Sequence, residues 1–178
     1  MTDRAELWAL LAINAAGQDG RVSDPARLCV ACAEILGVTG AAITLIGTGG
    51  IPAAGYASDP LAQRLQDLQF TLGEGPTAEA HAAGIPVSET DLARTGAGRW
   101  LGFCRESADW GICAVLSFPL RVGAARVGVM TLYQAEPGPL SEAVYADALV
   151  VAEMFTRMIL GWQSEASDGL LAVELRDD

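Results

Sequence analysis

The chain has 178 residues, of which 51% are hydrophobic and 19% charged, so we expect a folded domain and not a disordered chain. Its formal net charge of −11 and its lack of any Lys argue against direct nucleic-acid binding. Asp3 and Glu6 stand where a secretory signal would be positive, and no apolar run reaches the about 18 residues of a membrane span. We therefore expect a cytoplasmic protein without a membrane segment.

Capping residues predict the helices of the first half of the chain. An N-terminal helix is expected within residues 1–20, where apolar side chains dominate. Asp24 can cap a second helix that has Pro25 at its first position and ends at Gly37. Asp59, with the proline after it, begins a third helix at "LAQRLQDLQ". The glycine-rich stretch after that helix is treated below.

Two pairs of apolar runs predict antiparallel hairpins. "AAITLI" (41–46) and "IPAAGYA" (51–57) flank "GTGG", a connection suited to a tight turn. "ICAVLSFPLRV" (112–122) and "ARVGVMTLYQ" (125–134) are separated by too few residues for a crossover helix. A short extended piece, "IPVSE", and a helix from about Arg99 to Asp109 lie between the two hairpins. The sheet is therefore expected to be antiparallel at its centre.

A long helix is predicted from its cap at Ser141 to Trp162, and its apolar positions cover about 200° of the circumference, beyond the about 100° of a single core contact. The N-terminal helix is also apolar on most sides. We therefore expect a homodimer through the terminal helices, although helices that only cover the two edges of one sheet would give the same pattern. The expected interface residues are Leu7, Leu11, Ala148, Val151, Phe155, Met158 and Trp162.

The four cysteines favour reduced thiols, because the chain has no export signal. Cys29 and Cys32 form a C-x-x-C pair, but they lie in the helical pattern "DPARLCVACAEILG", which places Cys32 on a buried stripe. Cys104 and Cys113 are separated by eight intervening residues and have no His beside them. We therefore expect core thiols and no metal site.

The stretch "TLGEGPTAEAHAAG" matches the dinucleotide-binding spacing G-x-G-x-x-A at Gly73, Gly75 and Ala78. Glu74 would place a carboxylate beside a bound phosphate, and Pro76 removes one of the N–H donors at the helix entrance. The predicted hairpins also do not supply the parallel strand that such a turn follows. We interpret the stretch as a bend into a short helix, and we predict no cofactor.

The order of these elements, together with "LGEGPTAEAHAAGIPVSETDL", "RWLGF" and "AVLSFPLRVGAARVGVMTLYQAEPGPLS", resembles the GAF domain family, in particular the GAF modules of actinobacterial regulators that carry a C-terminal ANTAR RNA-binding domain. The resemblance covers roughly residues 25–160. It implies an α+β fold, an α/β/α sandwich with one PAS-like antiparallel sheet of five or six strands and helices on both faces. It further implies an N-terminal helix at 1–20, a GAF domain at 21–162, and a tail or linker at 163–178 towards an absent output domain.

GAF topology together with strand alternation suggests an apolar cup between the central hairpin and the middle helices, although ordinary core would use the same residue types. The candidate pocket residues are Phe70, Trp100, Phe103, Cys113, Val115 and Met130. The cyclic-nucleotide set of other GAF domains needs a Lys that this chain lacks, and no Cys is followed by His as in bilin attachment. His81, the only histidine, is the only candidate axial ligand for haem, and we expect it to lie at the surface instead.

The resemblance thus implies a non-catalytic sensory or regulatory domain that binds a small, largely apolar ligand, mediates dimerisation, or does both. It also implies that this domain is part of a transcription antitermination regulator of the GAF-ANTAR type. The alternative is a thiol-dependent enzyme, similar to the GAF proteins that reduce free methionine sulfoxide. In that alternative Cys104 is the nucleophile, Cys113 is the resolving thiol, and the adjacent Arg105 lowers the pKa of Cys104.

Overall fold

The computed structural model of the chain describes residues 3–18, 24–95 and 98–174. The helices are α1 (Arg4–Ala15), α2 (Pro25–Leu36), α3 (Pro60–Leu72), α4 (Pro76–Ala83), α5 (Leu92–Thr95), α6 (Leu101–Asp109) and α7 (Glu142–Glu174). The strands are β1 (Gly40–Ile46), β2 (Pro52–Ala57), β3 (Val87–Glu89), β4 (Ala114–Val122) and β5 (Ala125–Gln134). A single turn of 3₁₀ helix, Thr48–Gly50, connects β1 to β2.

The strands form one five-stranded sheet in the order β2-β1-β5-β4-β3, and every neighbouring pair is antiparallel. Strand β5 lies at the centre, where Met130 pairs with Ile43 of β1 on one side and with Phe118 of β4 on the other. Helices cover both faces of the sheet. The predicted α+β fold with a single antiparallel sheet is confirmed, with five strands.

The first face of the sheet packs against the terminal helices. Helices α2 and α7 contact the strands directly, and α1 packs against both of them. Alternate residues of the central strands, including Phe118, Met130 and Leu132, join Leu28 of α2 and Phe155 of α7 in one buried cluster. The hydrophobic effect makes burial of such side chains the main contribution to stability, about 1.5–3 kcal/mol for each one.

The second face packs against the middle helices α3, α4 and α6. Phe103 and Leu65 lie over Val115 and Tyr133 at one end of this face, and all four side chains are buried. They belong to a second, smaller core that is separated from the first by the sheet. The rest of this face is more polar and borders the candidate site.

The predicted helix caps are confirmed. The Asp24 carboxylate accepts a hydrogen bond from the backbone N–H of Ala26 at 2.9 Å, and the Asp59 carboxylate accepts from the N–H groups of Leu61 and Ala62, each at 2.9 Å. Burial by itself would raise the pKa of Asp59, but hydrogen bonds from Ser58, Ala62, Tyr133 and Leu61 hold that pKa below its ordinary value. Asp59 therefore ties the start of α3 to the central strand β5.

The last helix is longer than predicted. It was expected to end at Trp162, but α7 continues through Glu174, so most of the expected tail 163–178 is helical. Residues 175–178 and the end of the predicted segment 1–20 lie outside the described residues. Among the described residues, no helix is long and apolar enough to cross a membrane.

The structure corrects the residues expected at a dimer interface. Leu7, Leu11, Ala148, Val151 and Phe155 are all buried inside the chain's own core, so they cannot contact a second copy in the folded state. Met158 and Trp162 are partly buried and pack against the same cluster. The apolar arc of α7 is wide because this helix contacts the sheet as well as α1 and α2.

The close approach of β5 to β1 gives a test of the sheet centre. A Cβ atom on Gly128 would lie 2.5 Å from the backbone oxygen of Thr44, so we expect Gly128→Ala to destabilise the protein by about 1–3 kcal/mol. The matched control is Gly161→Ala in α7, where a Cβ meets no atom within 4 Å and helix propensity predicts a gain of up to about 1 kcal/mol. Urea unfolding of both variants measures the difference, and equal stability of the Gly128 variant and the parent would contradict the predicted strand contact.

Candidate functional site

A cleft of about 510 Å³ lies on the second face of the sheet, between the β1–β2 hairpin and the helices α3 and α4. This volume is within the about 300–1,000 Å³ range of small-molecule sites. The lining residues are Thr44, Ile46, Gly50, Pro52, Ala53, Ala54, Gly55, Gln63, Gln66, Asp67, Gln69, Phe70, Gly73, Thr77, Ala78 and His81. Small and apolar residues of β2 thus form one wall, and polar side chains of α3 and α4 form the other.

The glycine bend between α3 and α4 positions these two helices. Gly73 ends α3 with a φ of 65°, and its N–H donates to the carbonyl oxygen of Gln69 at 2.9 Å. Gly75 has a φ of 126°, and a Cβ there would collide with the Gln69 side chain. Pro76 then begins α4. The stretch is a bend into a short helix, as predicted, and it brings both helices to the same cleft.

Two glutamines of α3 are buried where the helix faces the cleft. Gln69 is only 3% exposed, and its Oε1 accepts a hydrogen bond from the backbone N–H of Thr77 at 2.8 Å. Gln66 Nε2 donates to the carbonyl oxygen of Tyr56 in β2 at 3.3 Å. Gly55 leaves the space that Gln66 Oε1 occupies, because a Cβ at that position would collide with it. The two amides thus connect α3 to α4 and to β2.

One polar atom of Gln69 remains unused. Its Nε2 is buried and has no hydrogen-bond partner in the part of the chain that the structure describes. Nδ1 of His81 is likewise buried without a partner in the described part of the chain. The residue His81 lines the cleft from α4. Burying an amide or imidazole nitrogen without a partner costs about 1–3 kcal/mol, so both atoms mark a place where a partner would be stabilising.

His81 lies between the cleft and a cation on strand β5. The Arg126 guanidinium donates from Nη1 to the carbonyl oxygens of His81 and Ala82, at 2.6 and 2.7 Å, at the end of α4. Burial and, second, the positive charge of Arg126 lower the pKa of the His81 imidazole. His81 is therefore neutral at pH 7. Its side chain is partly exposed, as expected, and it lines the cleft.

Three hydroxyl groups connect α4 to the sheet beside the cleft. Thr77 Oγ1 lies 2.8 Å from Thr131 Oγ1 and 3.4 Å from Ser117 Oγ, and the last two are 3.0 Å apart. All three residues are buried. Thr131 and Ser117 face each other across β5 and β4, so this hydroxyl cluster fixes α4 to the two central strands.

Of the six predicted pocket residues, only Phe70 lines the cleft. It is 66% exposed and lies at the rim. Phe103 and Val115 are fully buried in the second core, and Trp100 packs edge-to-face on Phe103 at 6.2 Å. These three side chains contribute to ordinary core, the alternative that strand alternation had left open.

The other two predicted pocket residues lie elsewhere. Cys113 precedes β4 and is partly exposed. Met130 is buried on the first face, with its Sδ 3.9 Å from Sγ of Cys32 in α2, so it belongs to the layer of the terminal helices. The expectation for Met130 is wrong because alternation along a strand separates two faces without telling which helices cover each face.

The residues that do line the cleft carried a weak signal in the sequence. Gln63, Gln66 and Gln69 recur every third residue in α3, which places three amides along one side of the helix. An amide stripe on a helix that must also pack on a sheet is unusual, since buried amides need partners. Among the described residues, no group of His, Cys, Asp and Glu side chains could hold a metal ion.

No protein-family model matches the chain, and no curated protein matches its sequence. Among solved structures it is similar to the GAF domain of an Acinetobacter phosphoenolpyruvate-protein phosphotransferase, with 12% identity, a TM-score of 0.61, and coverage of 94% of this chain and 99% of that one. A GAF domain/HD domain protein from Geobacter sulfurreducens aligns with 12% identity and a TM-score of 0.56, covering 92% and 96% of the two chains.

A domain assigned to a two-component sensor histidine kinase protein of Sinorhizobium meliloti aligns with 18% identity and a TM-score of 0.60. The alignment covers 78% of this chain and 89% of that domain. Identities this low establish a common architecture and leave ligands and partners open. The chain has the fold of GAF domains.

Proposed function

We propose that this chain is a non-catalytic sensory domain that binds a small molecule in the cleft between β2, α3 and α4. One observation carries the proposal. Three buried side-chain polar atoms lack a partner in the described part of the chain, and two of them, Gln69 Nε2 and His81 Nδ1, belong to residues that line this cleft. A ligand whose polar groups reached these nitrogens would satisfy them.

We further propose that the domain regulates an output domain of the GAF-ANTAR type, in a transcription antitermination regulator. The support is the resemblance of "LGEGPTAEAHAAGIPVSETDL" and "AVLSFPLRVGAARVGVMTLYQAEPGPLS" to the modules of such regulators. The similarity in fold to a domain assigned to a sensor histidine kinase protein agrees with a sensory role. Helix α7 is the natural connection to an output domain, because it extends to Glu174.

The hydroxyl cluster offers a route from the cleft to α7. Thr77 lines the cleft, and its hydroxyl contacts Thr131 and Ser117 on the central strands. The residues next to these in sequence, Met130 and Phe118, point to the opposite face and pack in the cluster that contains α7. A ligand that shifts α4 would therefore change the packing under α7, which is a population shift between two arrangements.

Homodimerisation remains part of the proposal, on different residues from those first expected. Among the side chains that the structure describes on the terminal helices, the exposed large apolar ones are Leu10 and Ile13 on α1 and Leu149 on α7. An Ala148→Asp change would not test the dimer, because Ala148 is fully buried in the chain's own core. Leu149→Asp and Ile13→Asp are the substitutions that leave this core intact.

The alternative, a thiol-dependent reductase, finds little support in the environment of Cys104. Burial, followed by the carboxylates of Glu89 and Glu74, raises the pKa of this thiol to about 11, and Arg99 lowers it less. Arg105, the cation expected to activate Cys104, is exposed and is not among the groups that shift its pKa. A nucleophilic thiol needs the opposite shift, so we favour the binding function.

Filling the cleft tests the proposed function. Ala78 is exposed and lines the cleft from α4, so Ala78→Trp should block the ligand without disturbing the core. A thermal-shift screen of a broad metabolite library should find a compound that raises the melting temperature of the parent by about 5–10 °C at about 100 Kd. That shift should disappear in the Ala78→Trp variant.

The matched control is Ala83→Trp, which adds the same side chain at an exposed position of α4 that does not line the cleft. This control should keep the thermal shift. The proposal would be wrong if no compound stabilised the parent, or if the stabilising compound acted equally on the Ala78→Trp variant.

The thiol environments give a separate prediction. Burial raises the pKa of Cys29 to about 12, and Cys104 is also buried, so both should resist alkylation by iodoacetamide at pH 7.5 while the protein is folded. Partly exposed Cys113 should react first. Peptide mass spectrometry before and after unfolding measures the order, and preferential modification of Cys104 in the folded protein would revive the reductase alternative.

A further inference from the structure

The polar groups of the cleft indicate the chemical class of its ligand. We propose that the cleft binds an uncharged molecule with an apolar body and a carbonyl-type oxygen, that is, a carboxamide or a lactam, whose oxygen accepts a hydrogen bond from Gln69 Nε2. This inference rests on the proposed function. Three properties of the cleft support it: its charge, the use of its backbone donors, and the composition of its walls.

The first property is the absence of a cation. No Lys or Arg is among the lining residues in the described part of the chain. Asp67, which is negatively charged, also lines the cleft. The imidazole of His81 has a lowered pKa and is neutral at pH 7. A carboxylate or phosphate would therefore lose its hydration without gaining a counter-ion, and that loss strongly disfavours binding.

The second property concerns the entrance of α4, where a helix would otherwise attract an anion. Pro76 has no N–H, and the Thr77 N–H already donates to Gln69 Oε1 at 2.8 Å. The same hydrogen bond fixes the orientation of the Gln69 amide, because its oxygen is committed to Thr77. The Nε2 group is then left as a donor, and a donor in a dry wall selects a ligand with an acceptor.

The third property is the apolar wall opposite the amides. Ile46, Pro52, Ala53 and Ala54 line this side, and Phe70 lies at the rim. An apolar body fits this wall, and a carboxamide or lactam adds one acceptor for Gln69 Nε2. A molecule with donors alone, such as an amidinium, would leave Gln69 Nε2 unsatisfied.

Isosteric probes that differ only in charge test this inference. Benzamide, benzoate and benzamidinium have the same shape, and so do the corresponding naphthalene and indole series. We expect the neutral amide of each series to bind in the cleft about tenfold more tightly than its carboxylate, because burying an unpaired charge raises the Kd at least about tenfold. Titrations of the labelled protein by heteronuclear NMR measure both the affinity and the location.

A substitution of the donor tests the role of Gln69 directly. Gln69→Met keeps the length of the side chain and removes the amide, so we expect it to weaken benzamide binding about five- to tenfold and to leave benzoate binding unchanged. The control is Gln134→Met, since Gln134 lies outside the cleft and its Nε2 donates to Gly138. Circular dichroism checks that both variants are folded. The preference of the parent protein for the neutral amide is measured without any variant, so it tests the inference even if a variant does not fold.

The outcomes separate this inference from the proposed function. Preference for the neutral amide, lost in Gln69→Met and kept in Gln134→Met, supports it. Tighter binding of benzoate or benzamidinium, or no binding of any amide in the cleft, overturns the ligand class. If the metabolite screen nevertheless finds a compound that Ala78→Trp blocks, the proposed function stands and only the chemical class is wrong. If neither experiment finds a ligand, both are wrong.

Discussion

Burial of both faces of the central strand β5 is the constraint on which the rest of the structure depends. The strand pairs with β1 and β4, so its alternating side chains must be accommodated by two different helix layers. On the first face Met130 and Leu132 enter a fully apolar cluster under α2 and α7. On the second face Val129, Thr131 and Tyr133 lie under the middle helices. The sheet thereby separates an apolar scaffold from a partly polar surface.

The cleft arises on the polar side because its walls are built from small residues and buried amides. Gly55 and Gly75 admit the side chains of Gln66 and Gln69 where any Cβ would collide with them. The amides are stabilised by backbone groups of Tyr56 and Thr77 but not fully satisfied. A close-packed core would have excluded such groups, since apolar residues of the same volume carry no desolvation cost. The unsatisfied nitrogens of Gln69 and His81, two residues that line the cleft, are the basis on which we propose a binding site here.

The sheet also lies between the proposed ligand site and α7, the helix proposed to connect to an output domain. The proposed ligand contacts fall on α3 and α4, whereas α7 lies on the other face of the sheet. The hydroxyl groups of Thr77, Ser117 and Thr131 connect α4 to the central strands. Rigid, well-packed strands can transmit a small displacement because packed interfaces have discrete arrangements. Burial raises the pKa of Cys104 and keeps this thiol protonated at neutral pH.

The sequence by itself determined the elements and their kind. Asp24, Asp59 and Ser141 cap helices where predicted, and the short connection after Val122 made the central hairpin antiparallel, because these signals act between neighbours in the chain. Which helices cover which face was decided only by tertiary packing. Periodicity predicted that Met130 lines the cup and that Phe155 contacts a second copy. In the structure Met130 packs beneath α7, and Phe155, which belongs to α7, packs in the same buried cluster. The cleft was likewise hidden, since only the folded chain brings Gln69 and His81 to the same cleft as the residues of β2.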